Sequence, residues 1–276
     1  MITLGADPEM FFSVEGQVLP AGVIFDKHYI EHTLVTPSGS LYVDGAALEL
    51  QPLPDPTPAQ LTKNIKELLV LAQMLFGDLA EIIIEPQVPF DLKWAKRDKQ
   101  LAVFGCDPDK SAWGEKRALD KIDVPNHPWR YAGAHIHFGL PSPPNEVEAV
   151  RIIRGLDYTV GLISVVVSGD RDLRRRAIYG RPGIYRIQPH GIEYRTPSNL
   201  ILGNPELYRF TLEVGKMAVE KALGGFKFDK IFPSYLLWEV LTANKPESAE
   251  ELYDLTGFPP IPKDRSGGIG RWVEVE

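Results

Sequence analysis

Residues 133–139 read GAHIHFG, and the alternation in that run leaves few ways to fold it. Ala134, Ile136 and Phe138 recur at every second position with His135 and His137 between them, which is a strand with one apolar and one polar face. Two imidazoles on neighbouring same-face positions converge on one ligand, usually a metal or a phosphate, or else hydrogen-bond to solvent and backbone. What the rest of the chain brings to that face decides between the two.

Other strand-like segments carry charge in the same alternating way. GADPEMFF places Asp7 and Glu9 on one face with Pro8 between them, and a proline inside a strand implies an edge or a bulge. A second strand is expected over 41–51, where VDGAALELQ carries Asp44 and Glu49 and alternates Glu49 and Gln51 with Leu48 and Leu50. In GIEYRTPSN, Glu193 and Arg195 share a face opposite Ile192 and Tyr194. Each pair alone reads as solvent-facing polar residues. Together, acids, imidazoles and arginines on one sheet face would repel or be desolvated unless cations and anions shared the site. Hard oxygen ligands with little histidine favour Mg²⁺ or Mn²⁺ over zinc.

Helices punctuate these strands. Thr57-Pro58 starts one, with threonine as N-cap and proline in the first turn, a buried stripe of Leu61, Ile65, Leu68, Ala72 and Leu75, and Gly77 at its end. Residues 81–85 supply a short strand, and 86–130 read as a long irregular connection that caps or serves the site. Asn145 caps a helix to about Val167; strands follow near 183–188 and 191–197. Asn204-Pro205 opens a helix to about Leu223, and Ser248-Ala-Glu-Glu251 reads as a capping box. Hairpin-like strand pairs separated by helices of unequal length predict an α+β fold with a mostly antiparallel sheet.

The 276 residues are 44% hydrophobic and carry a net charge of −7, which argues against a general nucleic-acid binder or an acidic-membrane binder. No run approaches the ~18 apolar residues of a membrane span. The N-terminus lacks the basic and apolar regions of a signal peptide. Cys106 is the sole cysteine, which excludes intrachain disulfides and thiolate zinc clusters and suits a reducing cytoplasm. Positive charge is nonetheless concentrated. Arg171, Arg174, Arg175, Arg176, Arg181, Arg186 and Arg195 lie in a stretch with no lysine, a composition suited to bidentate recognition of phosphate or carboxylate. Arg174 to Arg176 are better read as a helix-end patch pairing with acids elsewhere. The chain has no GxxxxGK[ST] loop and no GxGxxG after a strand, so any nucleotide phosphates would be held by metals and arginines.

GADPEMFF, DGAALELQP, FGCDPDKSAW, GAHIHFG and IYGRPGIYRIQPHGIEYRTPSN occur in that order. In this the chain resembles the phage-type carboxylate–amine (COOH·NH2) ligases of type 2, distant relatives of glutamine synthetase and glutamate–cysteine ligase, over residues 2–210. The resemblance implies a glutamine-synthetase-like half-barrel, a curved antiparallel sheet with helices outside, forming one catalytic domain over 1–276 with a helical part from about 204 to 276. It implies ATP and two Mg²⁺ (or Mn²⁺) ions. Asp7 and Glu9 match the paired acids that each serve one ion, Asp7 being a methylene shorter than its counterpart and acting directly or through water. Asp44 and Glu49 match the second acidic strand, and His135 matches the histidine on the nucleotide-side metal, with His137 beside it. Glu193 and Arg195 match the closing E-x-R strand; Arg181 and Arg186 match arginines that contact the transferred phosphoryl group and the substrate carboxylate. His190 and Asp107 are candidates for the base that deprotonates the amine.

The implied substrates are a carboxylate and an amine, an amino acid or peptide foremost, in a host bacterial cytoplasm; oligomeric state is left open. Two other functions fit parts of the pattern. A metal-dependent hydrolase would use the acids with His135 and His137 to activate water but needs less arginine. A non-catalytic nucleotide or amino-acid binder would have no need of the full set of Glu9, Glu49, His135, Glu193 and Arg195.

Overall fold

The computed structural model describes residues 1–25, 34–102, 110–114, 122–265 and 267–273. Its central element is β1 (Thr3–Val14), whose alternation sorts its side chains between two layers. Leu4, Ala6, Met10 and Phe12 are buried in the main core, while Asp7 and Glu9 point the other way. Around it lie β2 (Gln17–Leu19), β3 (Leu34–Thr36), β4 (Gly39–Asp44), β5 (Ala47–Pro52), β6 (Glu81–Ile83), β7 (Gln87–Pro89), β8 (Lys110–Ser111), β9 (Trp129–Tyr131), β10 (Ala134–Gly139), β11 (Ile184–Gln188) and β12 (Gly191–Tyr194).

The main sheet runs β3-β4-β5-β1-β10-β12-β11-β8, with β2 and β6 also pairing β1; β7 and β9 form a separate pair. These pairings are antiparallel. Among the described residues its end strands β3 and β8 do not meet, so the sheet is open. The α+β expectation with an antiparallel sheet is borne out.

The longer helices are α1 (Pro58–Phe76), α2 (Glu146–Leu156), α3 (Leu162–Ser168), α4 (Leu173–Ile178), α5 (Pro205–Leu223), α6 (Ser234–Ala243) and α7 (Pro246–Asp254). The apolar stripes of α1, α2 and α5 bury Ile65, Leu68, Ile152, Ile153, Leu207 and Leu212 in one core with Leu48, Leu50, Ile136, Phe138 and Ile192 of the sheet. Each such side chain removed from water contributes ~1.5–3 kcal/mol. A smaller core of Phe11, Ala46, Ala47, Val88, Phe90 and Ala132 lies apart from the main one. No helix among the described residues is long and apolar enough to cross a membrane.

The structure corrects several local expectations. Pro8 is not on an edge, since β1 is flanked by β5 and β10. The bulge alternative survives as a slipped register: β1 and β5 shift by one residue between the Leu4–Asp55 bridge and the Glu9–Glu49 pair. The single strand expected over 41–51 is a hairpin. Gly45 turns it at a φ of 55°, where a side chain would be strained, and the turn puts Asp44 on β4 and Glu49 on β5. Leu75 is exposed rather than part of the α1 stripe. Helix α7 starts at Pro246, two residues before the proposed capping box, because proline is already suited to a first helical turn. The long connection 86–130 contains β7, β8 and the start of β9.

The arginine stretch divides as its burial requires. Arg174 is exposed with its guanidinium 4.4 Å from the Trp129 ring. Arg175 and Arg176 are buried, and both pair with buried Asp172, at 3.3 and 3.0 Å. The acid that the patch requires is therefore local, one turn away. Arg175 also donates to the carbonyls of Arg195, Thr196 and Pro197, holding the chain as it leaves β12.

Candidate functional site

Register alone assembles the site. Glu49 lies opposite Glu9 across β5 and β1, and Asp7 opposite His135 across β1 and β10. His137 then lies opposite Glu193, which lies opposite Arg186 on β11. Residues directly opposite in antiparallel strands share a face, so five strands deliver these side chains to one side of the sheet. His137 Nε2 is 3.2 Å from Asp7 Oδ2. His135 Nδ1 is 3.3 Å from Asp7 Oδ1 and 3.9 Å from Glu193 Oε1. Glu193 in turn accepts from Arg186 Nη1 at 3.3 Å and Gln188 Nε2 at 2.8 Å, and pairs with Arg195 through Oε1.

Among the described residues, two groups of three have ligand atoms within 4.8 Å of one another: Asp7, His137 and Glu193, and Glu9, Asp44 and Glu49. Seven of the sequence-derived positions thus converge, with His135 beside the first group rather than in it, although His135 was the firmer expectation for metal ligation. The second group is all carboxylate. Burial, then the charge of Asp44, raises Glu9 to about 8 even though Gly133 N–H donates to its Oε2 at 2.7 Å. Burial, then Asp7 and Glu9, pushes Glu49 well above its ordinary value. Burial also raises Asp44, against the pull of Arg195. Packed acids that resist ionisation are short of positive charge, and oxygen donors alone suit a hard divalent cation. In the first group burial would raise Asp7, but His137 and His135 outweigh it and hold the carboxyl well below its usual range. Burial, then Arg195, lowers His135 to about 4, so it is a neutral imidazole at pH 7, the form that ligates metal.

One comparison with known proteins reaches this face. Residues 124–229 match the family model for phage phiEco32-like COOH.NH2 ligase-type 2. That match spans β10, β11 and β12, and so two of the five stretches that carry the resemblance; the sequence-based assignment is borne out there. No curated protein gives a significant match. A solved structure described as apo GmaS without ligand is 13% identical, with a TM-score of 0.44, covering 91% of this chain and 65% of its own length. The chain therefore spans less than two thirds of that protein.

Several residues at this face carry no sequence signal as strong as the histidines. Tyr179 O–H lies 3.4 Å from Glu9 Oε1 and accepts from Arg195 Nη2 at 3.2 Å, with its ring against His135. Asn199 donates to the Glu9 carbonyl. Gln51 donates to Glu49 Oε1 at 2.8 Å; its place two residues on, along the same strand face, marked it. Tyr42, opposite Glu49, is 40% exposed beside the carboxylates. Arg181 lies in the loop entering β11, where its carbonyl accepts from Thr196 Oγ1. His190, in the β11–β12 turn, lies 3.4 Å from His137 Nδ1. Asp107 and Cys106, with most of FGCDPDKSAW, lie outside the described residues. A cavity of about 300 Å³ opens beside Asp7, Glu49, His137 and His190, at the small end of ligand pockets.

Proposed function

We propose that this chain is an ATP-dependent carboxylate–amine ligase that forms an amide through an acyl phosphate. The observation that carries this reading is the sharing of one sheet face by two acid-rich groups and by Arg186 and Arg195, in a chain with no glycine-rich phosphate loop. A carboxylate oxygen is a poor leaving group, so the acid must be activated before an amine can displace it. The substrate carboxylate attacks the γ-phosphorus of ATP, breaking the β–γ bridge and releasing ADP. The amine nitrogen then attacks the acyl carbon, inorganic phosphate leaves, and the nitrogen loses a proton.

In this reading Glu9, Asp44 and Glu49 hold one Mg²⁺ or Mn²⁺, and Asp7, His137 and Glu193 hold the other, with His135 supporting Asp7. The cations, when bound, neutralise the triphosphate charge and polarise the phosphoryl oxygens. Arg186 and Arg195, fixed by Glu193, present planar donor forks toward the same space for the phosphoryl in transfer, with Arg181 at its margin. The positioning of reactants and charges is the main catalytic task in phosphoryl transfer. His190 is the described candidate for the base. The proposal extends to a glutamine-synthetase-like half-barrel forming one catalytic domain over 1–276, acting in the cytoplasm of a bacterium on amino-acid or peptide substrates.

Incubation with ATP, Mg²⁺ and pooled amino acids, with ADP and phosphate measured, tests the activity. A ligase yields ADP that rises with the correct acid and amine. A hydrolase or a binder yields no substrate-stimulated ADP, and that outcome overturns the proposal.

The metal assignment has its own signature. Without a cation Glu9 holds its proton up to about 8, so Mg²⁺ must displace that proton when it binds at pH 7. Affinity should therefore strengthen as pH rises from 6 to 8, with proton release visible in calorimetry as a heat that depends on the buffer's ionisation enthalpy. Binding heats identical in phosphate and Tris buffers would count against a cation at Glu9.

A further inference from the structure

Behind the sheet, on the face away from the acids, Asp157 is fully buried at the start of a π-helical turn (Asp157–Gly161) that interrupts the helix between α2 and α3. Such turns carry an extra residue and are common where a side chain must be aimed. None of the ion pairs among the described residues involves Asp157. Three neutral donors hold it instead: Tyr194 O–H at 2.6 Å and Gly183 N–H at 3.1 Å, both on Oδ1, and Trp113 Nε1–H at 2.6 Å on Oδ2. Only an acceptor on both arms serves this set, which a carboxylate provides and an amide does not.

The three donors belong to segments that bear on the site. Tyr194 sits between Glu193 and Arg195 in β12, so fixing its ring on the helix side fixes the direction of both neighbours. Gly183 lies between Arg181 and Arg186, where the chain enters β11. Trp113 ends the FGCDPDKSAW stretch. Close packing shows that the contact is built. A Cβ on Gly161 would fall 2.9 Å from the Tyr194 hydroxyl, and one on Gly183, at a φ of 71°, would fall 2.4 Å from Trp113 Cδ1.

We propose that Asp157 is a positioning residue for phosphoryl transfer, one carboxylate that sets β11 and β12 from behind so that Arg186 and Arg195 meet Glu193 in working register. This rests on the ligase reading above. Asp157 touches no substrate; it acts through Tyr194 and the Gly183 amide. A displacement of ~1 Å in groups that must align with a reacting phosphoryl lowers rate by ~10²-fold.

Tyr194→Phe, Asp157→Asn and the double variant Asp157→Asn/Trp113→Phe test this in the full chain. Tyr194→Phe removes one hydroxyl. Asp157→Asn turns an N–H₂ toward one of the donors, and Trp113→Phe then removes the indole N–H, so the double variant should recover part of what Asp157→Asn loses. The expected result is faster amide hydrogen exchange in peptides covering 181–188 and 191–197, with 41–51 unchanged. ADP formation should show kcat lowered 10- to 100-fold while KM for MgATP changes less than threefold. Uniformly faster exchange across the chain, or unchanged kcat well below the melting temperature, would reduce Asp157 to an ordinary core residue and overturn the proposal. The exchange measurement needs no turnover. A wild type that never makes ADP sinks the ligase reading, while the exchange pattern still decides whether Asp157 holds these strands.

Discussion

Glu9→Gln and Glu49→Gln are each expected to lower ADP formation by ~10³-fold, the scale of losing a fixed charge from a preorganised phosphoryl-transfer site. The fold should survive both changes. Glu9 is 3% exposed and held by Gly133 N–H and Tyr179 O–H, and a glutamine of the same length retains an acceptor for the amide. In the absence of cation the carboxyl is protonated at pH 7, so the neutral amide resembles the wild-type state and the melting temperature should stay within a few degrees. The gain in melting temperature on adding Mg²⁺ is what the variants should lose. Near-normal ADP production by either one would mean that the second carboxylate group does not hold a catalytic cation.

Arg186→Lys should lower kcat by ~10²-fold with little change in melting temperature, because lysine offers a point charge where a planar fork is needed. Arg186 is partly exposed, and its buried partner Glu193, at 3.3 Å, keeps Arg195 and Gln188, so the change leaves no unpaired charge in the core. Arg195 is more deeply placed, 4% exposed and tied to Glu193 and Tyr179, and Arg195→Lys should combine the catalytic defect with some loss of stability. Arg174→Lys is the control. Its side chain is exposed over Trp129, a contact that lysine can also make, and steady-state kinetics should barely register the change. Sensitivity at Arg174 with tolerance at Arg186 would move the phosphate site elsewhere.

Much of this face was legible because strand alternation is a geometric rule. Asp7 with Glu9, His135 with His137, and Glu193 with Arg195 could be assigned to shared faces from spacing alone, and the register then sets them side by side. The Asp44–Glu49 relation was not legible. VDGAALEL contains no strong break except Gly45, and the apolar residues on both sides of the turn read as one run. Pro8 misled for a related reason: its missing N–H falls where the β1–β5 ladder slips, which depends on a partner strand that the local sequence does not specify. Tyr179 reaches the site from the C-terminal end of α4, with no period linking it to the strands. Asp157 did leave a trace, as the sole charged residue between Arg154 and Asp170 in an otherwise apolar helical run. A lone acid there needs partners, but nothing local says that they are a tyrosine, a tryptophan and a glycine amide.

Only β1 contributes to both acid groups, through Asp7 to one and Glu9 to the other, while their remaining members come from 44–49 on one side and 137–193 on the other. Neither group can exist in a partly folded chain until β1 is seated between partners that lie far apart in sequence, and closing such long loops is slow. Ions that occupy the finished groups would act as clasps across that seam, holding the native state by mass action and leaving the unfolded ensemble untouched. The resistance of this protein to heat or protease would then follow the divalent-cation concentration of its surroundings, and a chelator would loosen the molecule first along the line where the two halves of the sheet meet.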